Sequence, residues 1–203
     1  MFDQIVAQLK PRDILEKITP FLDWEEIILL TGARQTGKTS LMYLLTDYLV
    51  REKGVLENQI VWLDMEKIID LAAINSLEDY DDFLPYLKRK GANLEKRIFV
   101  FIDEVQYLNQ ASSFLKYLYD HNKPRLKFIV SGSSSLDIKK KFTDRLTGRV
   151  VRFAIDSLSF EEYLRFKNKS LDDREINYLL KEYLVYGGYP KIVFYNISES
   201  YCI

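Results

Sequence analysis

The stretch that decides the fold runs from Gly32 to Thr39, reads GARQTGKT and matches the pattern G-x-x-x-x-G-K-[ST]. It directly follows the apolar run Ile27–Leu30, which predicts a buried strand. It directly precedes apolar residues at helical spacing, from Leu41 to Leu49, and Gly54 marks where that helix ends. A glycine-containing turn at a helix N-terminus can surround a phosphate group with backbone N–H groups. The stretch therefore predicts a phosphate-binding loop.

The residues of this loop have separate predicted roles toward a nucleoside triphosphate. Lys38 can reach the β- and γ-phosphates as a point charge, and the Thr39 hydroxyl can bind Mg²⁺. Glycines at positions 32 and 37 permit close approach of the phosphates. We expect nine consecutive residues to contact the nucleotide: Gly32, Ala33, Arg34, Gln35, Thr36, Gly37, Lys38, Thr39 and Ser40.

Apolar runs alternate with segments of helical spacing along the chain, which is typical of a parallel sheet with helices on both faces. The predicted strands are Ile27–Leu30, Gln59–Leu63, Arg97–Ile102, Leu126–Val130 and Val150–Ala154. Besides the helix after the loop, the spacing predicts helices at Asp79–Lys90, where Pro85 would kink the helix or move its start, and at Ser112–His121, Phe160–Phe166 and Asp172–Tyr186. The fold class is therefore α/β.

Two further groups of polar residues follow predicted strands. Asp103 and Glu104 end the apolar run FVFI, so a buried strand would bring Asp103 to the carboxyl edge of the sheet as a ligand for Mg²⁺. Glu104 could then orient or deprotonate the attacking water. Ser131 ends the next strand and would lie beside the γ-phosphate, although a plain serine-rich turn also fits this segment.

The composition limits the function classes. Of the 203 residues, 47% are hydrophobic and 29% charged, as in globular proteins, and the formal net charge is -1. Any polyanion site must therefore be local. One cysteine, Cys202, and one histidine, His121, exclude disulfide frameworks and most zinc sites. Residues Met1–Asp13 do not read as a secretion signal and no apolar run is long enough to span a bilayer, so we expect a cytoplasmic protein without a membrane segment.

Charge is unevenly distributed. Residues Asp64 to Asp82 carry seven acids and one base, whereas Lys139 to Arg152 carry six bases and one acid. Such runs are usually solvated faces, and the alternative for the basic block is an edge that faces phosphate or DNA.

Five segments of the chain, in this order, carry a resemblance to a known family: GARQTGKT, FVFIDEVQ, FIVSGSSS, LTGRVVRFAIDSLSFEEYL and VYGGYP. They resemble the AAA-type ATPase domain of prokaryotic and archaeal ATPases. These proteins are P-loop NTPases of the additional-strand class and are related to STAND NTPases. The resemblance covers nearly the whole chain. It implies a five-stranded parallel sheet of order 5-1-4-3-2, sandwiched by helices, in a core of residues 1–158. Residues 159–203 would then begin a helical lid.

The resemblance also implies ATP and Mg²⁺ as cofactors and hydrolysis of ATP as the activity. In this interpretation the catalytic residues are Glu104, Lys38, Arg149 and Ser131, and the metal ligands are Thr39 and Asp103. Arg149 is expected near the nucleotide edge, acting on the γ-phosphate of a neighbouring subunit and linking hydrolysis to self-assembly, with Arg145 as the competing arginine. The alternative for Arg149 is a structural salt bridge to the acidic block, residues Asp64 to Asp82.

From the lid, Pro190 in the segment GGYP is expected to touch the nucleotide, although local signals also fit a helix-terminating turn there. Relatives continue past the lid into further domains, so we expect this chain to be an N-terminal fragment or a short protein. A DNA or protein partner would bind through the missing C-terminal region.

Other functions fit less well. The segment NKPR, from Asn122, has arginine where a GTPase needs its guanine-binding carboxylate, and the residues after Val150 are too few for the second lobe of a helicase. Arg145, Arg149 and Arg152 could serve a small-molecule kinase. The main alternative to an ATPase is a nucleotide-dependent interaction switch with little turnover.

Overall fold

The computed structural model describes residues 2–133, 146–172 and 174–194. Within them, five strands form one parallel sheet: β1 (Ile27–Gly32), β2 (Ile60–Asp64), β3 (Ile98–Asp103), β4 (Leu126–Ser133) and β5 (Val150–Ala154). Their spatial order is β2-β3-β4-β1-β5, so the predicted order 5-1-4-3-2 is confirmed. All strands run in one direction, so their carboxyl ends meet at one edge of the sheet, where ligands bind in α/β folds.

Nine helices accompany the sheet in the described ranges: α1 (Phe2–Val6), α2 (Ile14–Ile18), α3 (Lys38–Arg51), α4 (Ile68–Asn75), α5 (Phe83–Arg89), α6 (Ala111–Asn122), α7 (Phe160–Phe166), α8 (Ile176–Tyr186) and α9 (Pro190–Phe194). The helix after the phosphate-binding loop, α3, confirms the strongest helix prediction. The sequence patterns missed α1, α2, α4 and α9, all of which are short.

The helix predicted over Asp79–Lys90 begins later than expected. Asp79 accepts a hydrogen bond from the backbone of Asp81 and starts a single 3-10 turn, and α5 begins only at Phe83. Pro85 therefore falls in the first turn of α5, where its missing N–H costs nothing.

Alternate side chains of the strands pack on opposite faces of the sheet. On one face, residues such as Leu63, Val100 and Phe128 pack against α5 and α6. On the other face, residues such as Leu30 and Phe101 pack against α2 and α3. Helices on both faces leave the strand interiors without water, which explains why the strands read as continuous apolar runs.

Helices α7, α8 and α9 have an apolar cluster of their own, made of Leu158, Tyr163, Leu164, Phe166, Leu179 and Val193. Leu158 packs in this cluster, and the domain division between residues 158 and 159 stays a prediction. Among the described residues, no helix is long and apolar enough to cross a membrane.

Several predicted features lie outside the described residues. They are Arg145, Cys202, the larger part of the basic block (139–145) and the last residues of the expected lid (195–203).

Candidate nucleotide site

The loop between β1 and α3 has the backbone geometry that its sequence pattern requires. Strand β1 ends at Gly32, and α3 begins at Lys38. Gly37 has a φ of 93° and Gln35 a φ of 66°, so the chain turns through the left-handed region twice before entering the helix. Glycine adopts such a φ without strain, whereas Gln35 does not.

Gly32 is constrained by the protein itself. A Cβ atom at this position would lie 2.2 Å from the carbonyl oxygen of Ile155. The same segment is held close by a hydrogen bond of 2.7 Å from the Ile155 N–H to the Thr31 carbonyl. The requirement for glycine at position 32 therefore comes from packing as well as from access for phosphate.

Lys38 is buried, with 4% of its surface exposed, yet its ammonium group lies in the turn of the loop and not in the apolar core. Nζ donates to the carbonyl oxygens of Gly32 (3.2 Å) and Ala33 (3.0 Å). It also lies 4.0 Å from Oε1 of Glu104. The two motifs, the loop from Gly32 to Thr39 and the carboxylate pair Asp103–Glu104, therefore meet at this charge pair.

The carboxylate of Asp103 joins two elements that the sequence keeps far apart. Thr39 Oγ1, on α3, donates to Asp103 Oδ2 at 2.7 Å. Ser131 Oγ, on β4, donates to Asp103 Oδ1. The Ser131 hydroxyl also accepts a hydrogen bond of 3.0 Å from the backbone N–H of Glu104. Ser131 is fully buried, so both hydrogen-bonding capacities of its hydroxyl are used inside the protein.

Glu104 has a φ of 53°, an unusual value for a residue with a side chain. The chain therefore changes direction at the end of β3, and the Glu104 carboxylate lies near the Lys38 ammonium group. Its Oε2 accepts a hydrogen bond from Gln106, a residue to which the sequence patterns assigned no role. Glu104 keeps 17% of its side chain exposed, so water can reach it.

The remaining loop residues surround this centre. Thr36 is buried and its hydroxyl donates to the Ala33 carbonyl at 3.0 Å. The exposed Arg34 guanidinium lies 3.5 Å from the Tyr107 hydroxyl. Gln35 is exposed, and Ser40 lines a small cavity between α3, residues 8–12 and the helices that follow β5.

Pro190 lies next to the loop. Its Cγ atom would be 3.7 Å from a Cβ at Gly37. The same segment also terminates a helix, because α8 ends at Tyr186 and Gly187 follows with a φ of 77°. Gly188 is pinned to Leu158 by a backbone hydrogen bond of 2.7 Å. The helix-terminating turn is therefore present, and the contact of Pro190 with the nucleotide stays a prediction.

Arg12 connects the loop to α7 and carries no recognisable sequence signal. Its Nη1 donates to the Thr36 carbonyl at 3.0 Å, and its Nε donates to the buried carboxylate of Glu162 at 2.8 Å. Burial acts to raise the pKa of Glu162, but the hydrogen bonds from Arg12 and from the backbone N–H groups of Ser159 and Asp13 lower that pKa below its ordinary value. Glu162 is therefore a charged partner for Arg12 at neutral pH.

The expectation that Arg149 lies at the nucleotide edge is wrong within one subunit. Its carbonyl accepts a hydrogen bond of 2.8 Å from Ile27 N, at the start of β1, whereas the loop follows the end of β1. Arg149 therefore lies at the opposite edge of the sheet. There its guanidinium forms a two-point ion pair with Asp120, at 2.7 and 3.0 Å. Arg149 thus forms a salt bridge, as the alternative predicts, but its partner Asp120 lies outside the acidic block of residues 64–82.

A divalent cation fits the donor set at the loop. No group of three or more His, Cys, Asp or Glu side chains converges in the described residues. Mg²⁺ is usually held by one or two protein oxygens, with phosphate and water oxygens completing the octahedron. Thr39 and Asp103, joined by a hydrogen bond of 2.7 Å, are such a pair.

The chain resembles several proteins that carry no assigned activity. It is 27% identical over 191 residues to an uncharacterized protein of Haemophilus influenzae, covering 92% of this chain and 45% of that protein. Two uncharacterized proteins of Methanocaldococcus jannaschii are 25% and 32% identical, over 92% and 75% of this chain and 40% and 31% of their own lengths. The chain thus spans less than half the length of these relatives.

Solved structures share the fold at low identity. The Aeropyrum pernix ORC1 protein in complex with DNA superposes with a TM-score of 0.63 at 14% identity, covering 93% of this chain and 59% of that one. A DNA polymerase III gamma subunit-related protein from Thermotoga maritima gives a TM-score of 0.53 at 19% identity, covering 83% of this chain and 54% of that one.

A family model for the AAA domain matches residues 25–164. The match extends from the start of β1, through both motifs and β5, to α7, and it includes more than half of the chain. This chain therefore belongs to the AAA domain family and is an AAA-type P-loop ATPase domain.

Proposed function

We propose that this domain binds ATP with Mg²⁺ at residues 32–40 and hydrolyses the γ-phosphate. The observation that carries the proposal is the meeting of two distant motifs, in which Thr39 Oγ1 lies 2.7 Å from Asp103 and Lys38 Nζ lies 4.0 Å from Glu104. A phosphate chain in this loop would meet backbone N–H groups, an ammonium group and a metal ligand pair together.

In this proposal Thr39 and Asp103 hold Mg²⁺. The ion, when bound, supplies positive charge against the phosphate oxygens and lowers the barrier to attack. Lys38 exchanges its hydrogen bonds to the Gly32 and Ala33 carbonyls for hydrogen bonds to the β- and γ-phosphates.

Glu104 orients the attacking water and accepts its proton. The support is its position at the end of β3, its accessibility and its closeness to Lys38, which marks the phosphate end of the loop. Ser131 holds the Asp103 carboxylate and the Glu104 backbone in place, and a direct contact from Ser131 to the γ-phosphate stays a prediction.

We further propose that the helices after β5 form a lid. Pro190 lies against Gly37, and Arg12 joins the Thr36 carbonyl to Glu162 of α7. These contacts support the alternative function as well, a STAND-like switch in which ATP mainly sets the position of the lid and turnover is slow.

Arg149 would serve a neighbouring subunit. Because it lies at the edge of the sheet opposite its own loop, it can approach a phosphate only across an interface between copies of the domain. Such an arrangement would link hydrolysis to self-assembly. We also propose that this ATPase domain drives an attached effector or DNA-binding module, of the kind that would account for the additional length of the relatives. We expect it to act in the cytoplasm.

Two variants test the proposal. Lys38→Ala should abolish the rise in melting temperature that saturating Mg-ATP produces, which corresponds to about 2.7 kcal/mol at 100 times the dissociation constant. Glu104→Gln should still show that rise and lose nearly all hydrolysis. Equal thermal shifts in wild type and Lys38→Ala would refute ATP binding at this loop. Binding without measurable wild-type turnover would favour the switch.

A further inference from the structure

The turn after β3 brings a second polar side chain back to Glu104. Glu104 has a φ of 53°, and a single 3-10 turn, Val105–Tyr107, follows it. This geometry places residue 106 beside residue 104 on the side of the turn that faces the loop. The side chains of Glu104 and Gln106 consequently form a hydrogen bond.

Gln106 uses both ends of its amide. Its Nε2 donates to Oε2 of Glu104, and its Oε1 accepts from the backbone N–H of Ser133, at 3.4 Å. An ionised carboxylate only accepts hydrogen bonds and a backbone N–H only donates, so these two partners determine which way the amide points. One side chain therefore bridges Glu104 and the last residue of β4.

The two oxygens of Glu104 have different neighbours. Oε1 faces the Lys38 ammonium at 4.0 Å, and Oε2 is held by Gln106. In the proposed function Lys38 moves its hydrogen bonds to phosphate, which leaves Gln106 as the group that keeps the carboxylate oriented. A glutamate side chain without such a partner loses orientation by rotation about its side-chain bonds.

We propose that Gln106 is a positioning residue for hydrolysis, orienting the Glu104 carboxylate and tying it to the end of β4. This inference rests on the proposed function. Strand β4 already holds the Glu104 backbone through the Ser131 hydroxyl, at 3.0 Å. With Gln106, the same strand controls both the backbone and the side chain of Glu104.

The test measures kcat, KM and the dissociation constant for Mg-ATP in wild type, Gln106→Ala and Gln106→Glu. Gln106→Glu keeps the shape and removes the donor, so it serves if the alanine variant folds poorly. We expect kcat to fall about 10- to 100-fold in both, as for small misplacements of catalytic groups, with the dissociation constant changed less than about 2-fold.

Gln59→Ala is the matched control. Gln59 precedes β2 at the opposite edge of the sheet, where its amide donates to the Arg97 carbonyl at 3.1 Å. Its amide oxygen also accepts from the Leu56 N–H at 3.2 Å, so the control, like Gln106→Ala, loses both hydrogen bonds of an amide, but far from the loop, and its kcat should equal that of wild type.

A double variant separates positioning from a general structural effect. If Gln106 acts through Glu104, then adding Gln106→Ala to Glu104→Gln should leave the residual single-turnover rate unchanged. A further 10-fold fall in that background would overturn the proposal. So would a kcat for both Gln106 variants within 3-fold of wild type, or a loss confined to ATP affinity. Absence of hydrolysis in the wild type would instead refute the proposed enzymatic function, and the proposal with it.

Discussion

Removal of the Ser131 hydroxyl should destabilise the domain even without nucleotide. This hydroxyl is fully buried, donates to the Asp103 carboxylate and accepts from the Glu104 N–H at 3.0 Å. In Ser131→Ala the first loss removes a hydrogen bond to a charged group, and the second leaves the partly buried N–H of Glu104 without its partner. Each is worth about 1–3 kcal/mol, so we expect the free energy of unfolding to fall by about 3 kcal/mol.

The measurement is urea denaturation of the nucleotide-free protein, with melting temperature as a second readout. For a domain of this size, 3 kcal/mol corresponds to a fall of about 6–12 °C. Ser112→Ala is the control, because Ser112 is also buried, on α6, and no hydrogen bond of its hydroxyl is found in the described part of the chain. Its free energy of unfolding should change by less than about 0.5 kcal/mol.

The result distinguishes two roles of Ser131. A residue that only senses the γ-phosphate would leave the stability of the nucleotide-free protein unchanged. If Ser131→Ala and Ser112→Ala lose the same free energy of unfolding, then the buried hydrogen bonds described for Ser131 do not hold Asp103 and Glu104, and the reasoning is refuted.

Three other predictions give separate tests. Arg149→Ala should lower ATP turnover per subunit by about 10³-fold or more and flatten its rise with protein concentration. The control Asp120→Ala removes the same half-exposed ion pair but keeps the arginine, so it should lose less than about 1 kcal/mol of stability and retain turnover. Equal turnover in wild type and Arg149→Ala would show that Arg149 has no role beyond this ion pair. Burial, aided by the charge of Arg97, lowers the pKa of Lys127 to about 7, against 10.5 in the unfolded chain. Between these two pH values the unfolded chain binds more protons than the folded protein. The free energy of unfolding of the wild type should therefore rise by up to about 1.4 kcal/mol per pH unit because of this residue. Lys127→Met should remove that rise in urea denaturation at pH 7.5 and 9.5, and parallel pH dependences of the two proteins would contradict it. Gly32→Ala should lower the free energy of unfolding by at least about 1–3 kcal/mol, because its Cβ would meet the Ile155 carbonyl oxygen at 2.2 Å, and an unchanged midpoint in urea would show that this contact relaxes freely.

Local patterns were sufficient for the sheet and for the loop. A parallel strand covered by helices on both faces must be apolar along its whole length, so each strand was visible as a run such as FVFI before Asp103. The phosphate-binding loop was visible because its function depends on backbone conformation within eight residues, from Gly32 to Thr39. Short helices such as α4, whose exposed Ile68 and Ile69 blur any apolar stripe, left no such pattern.

The contacts between distant segments were decided only by the tertiary structure. Arg12 meets Glu162 across about three quarters of the chain, and no local spacing encodes that pair. The edge at which Arg149 lies follows from the direction of the predicted strand Val150–Ala154, but its partner Asp120 was found only in the structure. Gln106 follows Glu104 by two residues in the sequence, but its second partner, the backbone N–H of Ser133, lies beside it only because β4 packs next to β3. Sequence alone determines which residues can do the chemistry, because the chemical properties of a residue type and the backbone conformation of a short turn are local. The fold decides which of these residues meet, because burial and strand order bring together positions that are far apart along the chain.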